Sequence, residues 1–334
     1  MALIAKKYHG KIVDLHHYGH IAVADTEGNI LWQLGDPHRV TYSRSAAKPM
    51  QAIPLVESGA VDAFGVTEKE LALMCGSHCG EDFHTEAVVS ILKKAGLDES
   101  FLQCGIHYPL AADMENKFKA EGIAPRPVHN NCSGKHTGML ITAKMRGESL
   151  GDYYLPSHPH QMRITETIAE MCEYPADRIV IGCDGCGVPV HAMPMYKFAQ
   201  GFAKMSKPET LGADREKTLR RITSAMTAHP EMVAGTGEFV TELMRMFGNR
   251  LFCKSGASAF FAIGLQGKGI GIVMKMEDGN SSIRPLAMLE TLVQIGEITT
   301  DEALRLPSFR ETMSKNHKNE IIGKTVPDFV LEKI

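Results

Sequence analysis

The chain has 334 residues, 44% hydrophobic and 22% charged, with a formal net charge of -3. That composition supplies a buried core, and the scatter of lysines and arginines among acids, with no basic stripe interleaved with aromatics, excludes a nucleic-acid partner. The opening MALIAKKYHGKIVDL carries no apolar region of signal-peptide length and later apolar runs fall short of a membrane span, so a cytoplasmic protein without a membrane partner is expected, and its eight cysteines do not form a disulfide framework.

Residues 11–34, KIVDLHHYGHIAVADTEGNILWQL, alternate apolar and polar on either side of DTEGN, which predicts two antiparallel strands around a turn. The run after Ser45 predicts a helix, with Pro49 in its first turn and Pro54 bending or ending it. Thr67 and Glu70 form a capping-box pattern ahead of LALMC, so a second helix begins near residue 68. Ser157 is the expected cap of a helix through QMRITETIAEMCE, RIVIG at 178–182 reads as a short buried strand, and ADREKTLRRITSAMTA at 213–228 has helical periodicity. SAFFAIGL and GIGIVMKM flank QGKG as a hairpin, and SSIRPLAMLETLVQIG follows as a helix. The order predicts one α+β domain over 1–334. Its antiparallel sheet joins N- and C-terminal strands from 10–40 and 250–290, and the mainly helical part at 43–245 carries most of the site loops.

Ser45 and Lys48 stand three residues apart, on one face of a helix. A solvated ammonium cannot take the serine proton, but apolar neighbours would lower its pKa and leave a free base. By itself Ser-x-x-Lys, which occurs often by chance, reads first as a helix cap and a surface lysine. KSGAS at 254–258 raises its weight, because Lys-Ser-Gly at the head of a strand accompanies Ser-x-x-Lys in serine acyltransferases of the β-lactamase and penicillin-binding type. Three further stretches put glycines beside polar groups at element ends: MCGSHCGEDFH at 74–84, NNCSGKHTGML at 130–140 and IGCDGCGVPV at 181–190. Their cysteines allow a zinc site drawn from Cys132, Cys183 and Cys186, with Cys75, Cys79, His78 and His136 in reserve. A single Cys-x-x-Cys argues against a closed zinc finger, and Cys75, Cys104, Cys172 and Cys253 read as small buried hydrophobes.

Together RSAAKPMQ, CGSHCGEDFH, NNCSGKHTGML, CDGCGVPVHAMP and KSGAS resemble the Rhizobium-type (asparaginase II) L-asparaginase family over about residues 10–330. The resemblance implies a serine β-lactamase/glutaminase-like fold, a cytoplasmic homodimer, and hydrolysis of a small-molecule substrate, L-asparagine, to aspartate and ammonia. It pairs Ser45 with Lys48 and Ser77 with Lys254 as catalytic groups, and it puts zinc on Cys132, Lys135 and Cys186. Asp184, Arg44, His136, Asn131 and Gly256 become the substrate-binding residues. Where that family usually reads Gly-Ala-Glu-Gly this chain has Gly256, Ala257, Ser258 and Ala259, which removes a charge near the pocket. The expected chemistry is two-step acyl transfer: neutral Lys48 takes the proton of Ser45 as it attacks the amide, with Ser77 the alternative nucleophile. Two rival readings are a β-lactamase or penicillin-binding-like serine acylase and a catalytically silent zinc-binding domain.

Overall fold

A computed structural model describes residues 1–310 and 312–334, the side chains of 308 and 310 excepted. In chain order the strands are β1 (Ala2–His9), β2 (Ile12–Asp25), β3 (Ile30–Leu34), β4 (Val40–Tyr42), β5 (Val180–Cys183), β6 (Pro189–Pro194), β7 (Leu251–Gly256), β8 (Phe260–Leu265), β9 (Ile270–Met276), β10 (Thr312–Lys315), β11 (Ile321–Pro327) and β12 (Glu332–Lys333). The first hairpin forms as its sequence predicts. Asp25 closes the turn by accepting from the N–H groups of Glu27 and Asn29 at 3.0 and 2.8 Å, and Gly28 adopts a φ of 84° that favours glycine.

One antiparallel sheet runs β10-β11-β1-β2-β9-β8-β7, with β3 beside β2 and β12 beside β3, while β4-β6-β5 make a separate small sheet. N- and C-terminal strands therefore do share a sheet around a helical middle, as the order of elements implies. The sheet also draws in β1 and β10 to β12, which lie outside the ranges 10–40 and 250–290. Lysines interrupt β1 and β11, so neither shows a clean period of two.

The central strands are buried on both faces, β8 along its whole length. Helix Met195–Ser206 packs on β2, β8 and β9, helix Phe239–Phe247 on β7, and helix Arg284–Gln294 on β9 and β11. A Cβ on Gly271 of β9 would lie 1.9 Å from the carbonyl oxygen of Ala199, so that helix backbone rests directly on the strand and only glycine fits. Among the described residues no helix is long and apolar enough to cross a membrane.

Three local expectations are corrected. The helix Pro159–Met171 is capped by His158, whose ring accepts from the His160 N–H, and not by Ser157; Pro159 fits the first helical position, which makes its predecessor the cap. RIVIG supplies an edge strand whose Val180 is 53% exposed, not a buried one. KSG closes β7 instead of heading the next strand, because Leu251–Cys253 already lie in the sheet and Lys254 pairs with Ala262.

Candidate active site

Lys48 and Lys254 are 1% and 0% exposed. Lysine is almost never fully buried unless its amine finds partners, and here both amines converge on one hydroxyl. Lys48 begins the helix Lys48–Gln51, after a 3-10 turn over Arg44–Ala47. Arg44 enters that turn with a φ of 51°, a left-handed conformation costing a non-glycine residue about 1 kcal/mol. The segment lies against β7, where a Cβ on Gly256 would come within 2.7 Å of the Ser43 carbonyl oxygen.

Ser77 sits in the loop after helix Glu68–Met74, whose N-terminus carries the capping box anticipated at Thr67 and Glu70. Three successive N–H groups pin the loop: Ser77 donates to Val233 O at 2.8 Å, His78 to Asn131 O at 3.2 Å and Cys79 to Ala234 O at 2.8 Å. Lys48 Nζ donates to Gly76 O at 2.6 Å, to Ser77 Oγ at 2.8 Å and to Cys132 Sγ at 3.2 Å, the full donor complement of an ammonium. Lys254 Nζ approaches Ser77 Oγ from β7 at 3.1 Å and donates to Ser255 O at 2.7 Å. Burial, reinforced by the positive charge of Lys48, pushes the Lys254 amine well below the ordinary lysine value.

The Lys48 N–H donates to Ser45 O, but among the described residues no side-chain hydrogen bond joins Ser45 to Lys48. Two separate serine–lysine pairs are thus not what the side chains form; Ser77 holds both lysines, and Ser45 faces it across a cleft of about 270 Å³ whose walls also carry Cys79, Asn131, Glu238, Gly256 and Arg284. Two larger surface hollows, of about 620 and 630 Å³, contain no comparable pairing of hydroxyl and amine.

A second cluster lies behind the lysines. Helix Ser133–Met145 begins at NNCSGKHTGML and carries Lys135 and His136 in its buried first turn. Lys135 Nζ donates to Cys186 Sγ at 2.9 Å. A hydrogen bond from Cys132, together with the nearby lysines, outweighs burial and holds Cys186 down at about 4, while that bond and burial push Cys132 up to about 12. Burial opposes the charge of Lys135, yet Cys186 and Cys132 beside it raise its pKa above the lysine norm. Mutual attraction within the pair favours a thiolate at Cys186 beside an ammonium at Lys135. Cys183 is exposed and does not join it. Among the described residues no three His, Cys, Asp or Glu side chains are grouped to hold a metal, so a metal here would use two sulfurs and an amine.

Of the remaining expected residues, Asn131 and Gly256 line the cleft. Asn131 is fixed by its N–H, which donates to His107 Nε2 at 3.0 Å. Arg44 and Asp184 bind each other, with Nη2 and Nε at 2.8 and 2.9 Å from Oδ1. Burial favours the neutral acid at Asp184, but Lys135 and Arg44 more than compensate and lower its pKa. His136 is fully buried with Nδ1 2.7 Å from the Tyr153 hydroxyl, away from the cleft lining. Sequence reasoning missed Glu238, Arg284 and Cys79 as cleft residues. Arg284 did leave a trace: a cation in the first turn of a helix opposes the helix dipole, which marks a position kept for another reason.

A sequence model of the family described as L-asparaginase II matches residues 5–327. Among solved structures, a crystal structure of Mglu in its native form with 4.3 M NaCl is similar at 16% identity over 84% of this chain and 61% of that one, with a TM-score of 0.38. A second Mglu structure matches at 16% identity over 85% and 68%, with a TM-score of 0.37. The chain thus spans about 61% of the length of the first of these proteins. No curated protein matches the chain.

Proposed function

The chain belongs to the L-asparaginase II family, and from that premise we propose that it is an amidohydrolase releasing ammonia from the side-chain amide of L-asparagine, with Ser77 as nucleophile. The observation that carries this reading is a single half-buried hydroxyl held at 2.8 Å by Lys48 and at 3.1 Å by Lys254 on the wall of a small cleft. The two amines suit two roles. Lys254, pushed toward the free base, receives the Ser77 proton as Oγ attacks the amide carbon, and Lys48 donates to the oxygen as negative charge gathers on it. The proton held by Lys254 then passes to the departing nitrogen, which leaves as ammonia with the C–N bond. Water cleaves the β-aspartyl ester by the reverse transfer, restoring Ser77.

The Ser77 N–H is committed to Val233 O and does not serve the oxyanion. Ser45, whose hydroxyl makes no hydrogen bond among the described residues, faces the reacting group and supplies a donor there. Such a donor contributes roughly 3 kcal/mol to the transition state.

Zinc suits the cluster of Cys132, Lys135 and Cys186, because two sulfurs and an amine converge and the Cys186 thiol is held well below its ordinary value. Bound there, zinc would supply a positive Lewis-acid centre behind the cleft for orienting substrate, and Lys135 would give up its proton to ligate. The Ser77–Lys254 pair already furnishes a nucleophile, so the reading assigns no step to the metal.

Ammonia release from L-asparagine and from L-glutamine, measured on wild type, Ser77→Ala and Ser45→Ala, tests the assignment. Loss of turnover by three orders of magnitude or more in Ser77→Ala, with a smaller loss in Ser45→Ala, is expected. Full activity of Ser77→Ala would remove Ser77 from the role.

A further inference from the structure

Two charged side chains on the walls of the cleft form no ion pair among the described residues. Arg284 donates from Nη1 to Gly256 O at 3.1 Å and from Nε to Ser281 O at 3.2 Å, and among the described residues it forms no ion pair. A guanidinium has five N–H donors, so most of its fork remains available. Burial lowers its pKa, a strain that an anion would relieve. Glu238, exposed at the same cleft, likewise makes no ion pair among the described residues, although its charge is felt at Arg284 and at Cys79. The contrast is Arg44 and Asp184, which spend their charges on each other and do not line the cleft.

Accordingly, we propose that Arg284 receives the α-carboxylate and Glu238 the α-ammonium of the substrate, so that the cleft recognises a free zwitterionic amino acid and rejects the same side-chain amide carried on a peptide. The inference rests on the amidohydrolase reading and names its substrate class. A planar carboxylate matches the guanidinium fork, and an ammonium at the exposed end of the cleft meets the Glu238 carboxylate on its wall. With the amide held at Ser77, these two contacts make three fixed points, enough to distinguish the L from the D enantiomer. A peptide-borne asparagine offers neither charge and would leave Arg284 desolvated and unpaired.

The test compares kcat/KM for ammonia release from L-asparagine, its methyl ester and N-acetyl-L-asparagine, using wild type, Arg284→Gln and Glu238→Gln. Wild type should lose a factor on the order of 100 on either blocked substrate. Arg284→Gln should lose a similar factor on L-asparagine but nothing further on the methyl ester, and Glu238→Gln should show the same pattern with the N-acetyl compound. Equal losses on blocked and unblocked substrates, the signature of a merely structural role, would overturn the proposal, as would unchanged turnover of L-asparagine. Calorimetric titration of wild type and both variants with L-asparagine, succinamate and β-alaninamide separates this inference from its premise. If wild type binds L-asparagine without releasing ammonia, the amidohydrolase reading fails. The recognition pair then stands or falls on whether Arg284→Gln weakens L-asparagine binding while sparing β-alaninamide, which lacks the carboxylate. No binding of L-asparagine by wild type overturns it outright.

Discussion

Lys254→Met removes the amine assigned as base while keeping the apolar stem in place. The unfolded lysine carries its proton below its ordinary value of 10.5, whereas burial lowers the pKa of the folded amine well below it. Unfolding therefore takes up a proton throughout the window between the lowered folded value and 10.5, and native stability rises with pH across that window. If Lys254 is the free base at pH 7, keeping it neutral costs about 5 kcal/mol at that pH and about 2 kcal/mol at pH 9, at about 1.4 kcal/mol per pH unit. Methionine abolishes this cost but leaves Ser255 O without its donor, a loss of roughly 1–3 kcal/mol, while Ser77 keeps Lys48. The variant should be more stable than wild type at pH 7 by about 2–4 kcal/mol, with the gain vanishing near pH 9. Its turnover should fall by a factor of about 10²–10⁴. Urea unfolding of both proteins at pH 7, 8 and 9, beside ammonia release, measures each quantity. A variant less stable at pH 7, or a stability difference that does not change with pH, would refute the claim that a neutral lysine sits beside Ser77.

Gly256→Ala should damage turnover more than stability, because the added methyl meets Ser43 O at 2.7 Å and displaces the Arg44–Ala47 turn; kcat beside a melting curve will separate the two effects. Ala259→Gly should stabilise by about 1 kcal/mol in urea, since Ala259 is buried at a φ of 55°. Thr67→Ala should cost about 1 kcal/mol by deleting the side-chain half of the capping box, also measurable in urea. Cys186→Ser should lower bound zinc, measured by elemental analysis after equilibration with the metal, and an unchanged stoichiometry would place any zinc elsewhere.

The sequence exposed those features that depend on neighbours a few residues away. The Asp25–Asn29 turn, the Thr67 cap and the β8–β9 hairpin are all local chemistry, and all three formed. Strand β1 escaped notice because its burial depends on β2 and β11 instead of on its own alternation. At the site, residue types singled out Ser45, Lys48, Ser77 and Lys254, but spacing suggested that Lys48 serves Ser45. The amine instead passes inward to a loop almost thirty residues downstream, a contact no i,i+3 argument contains. Glu238 directly precedes helix Phe239–Phe247 and Arg284 begins helix Arg284–Gln294, positions distant in the chain that only tertiary packing brings to one cleft.

Strand β2 pairs early with β1 and β3, but its other edge is covered only when β9 exists: residue 19 faces residue 276. A growing polypeptide must therefore carry one edge of the apolar stretch Ile21–Ala24 open through most of its synthesis, its other edge covered by β3, a long exposure in which a chaperone would find a handle. Lys48 and Ser77 emerge early and Lys254 late, so an interrupted translation product would possess the hydroxyl without the amine proposed to deprotonate it, and on that proposal the order of manufacture itself keeps incomplete copies silent.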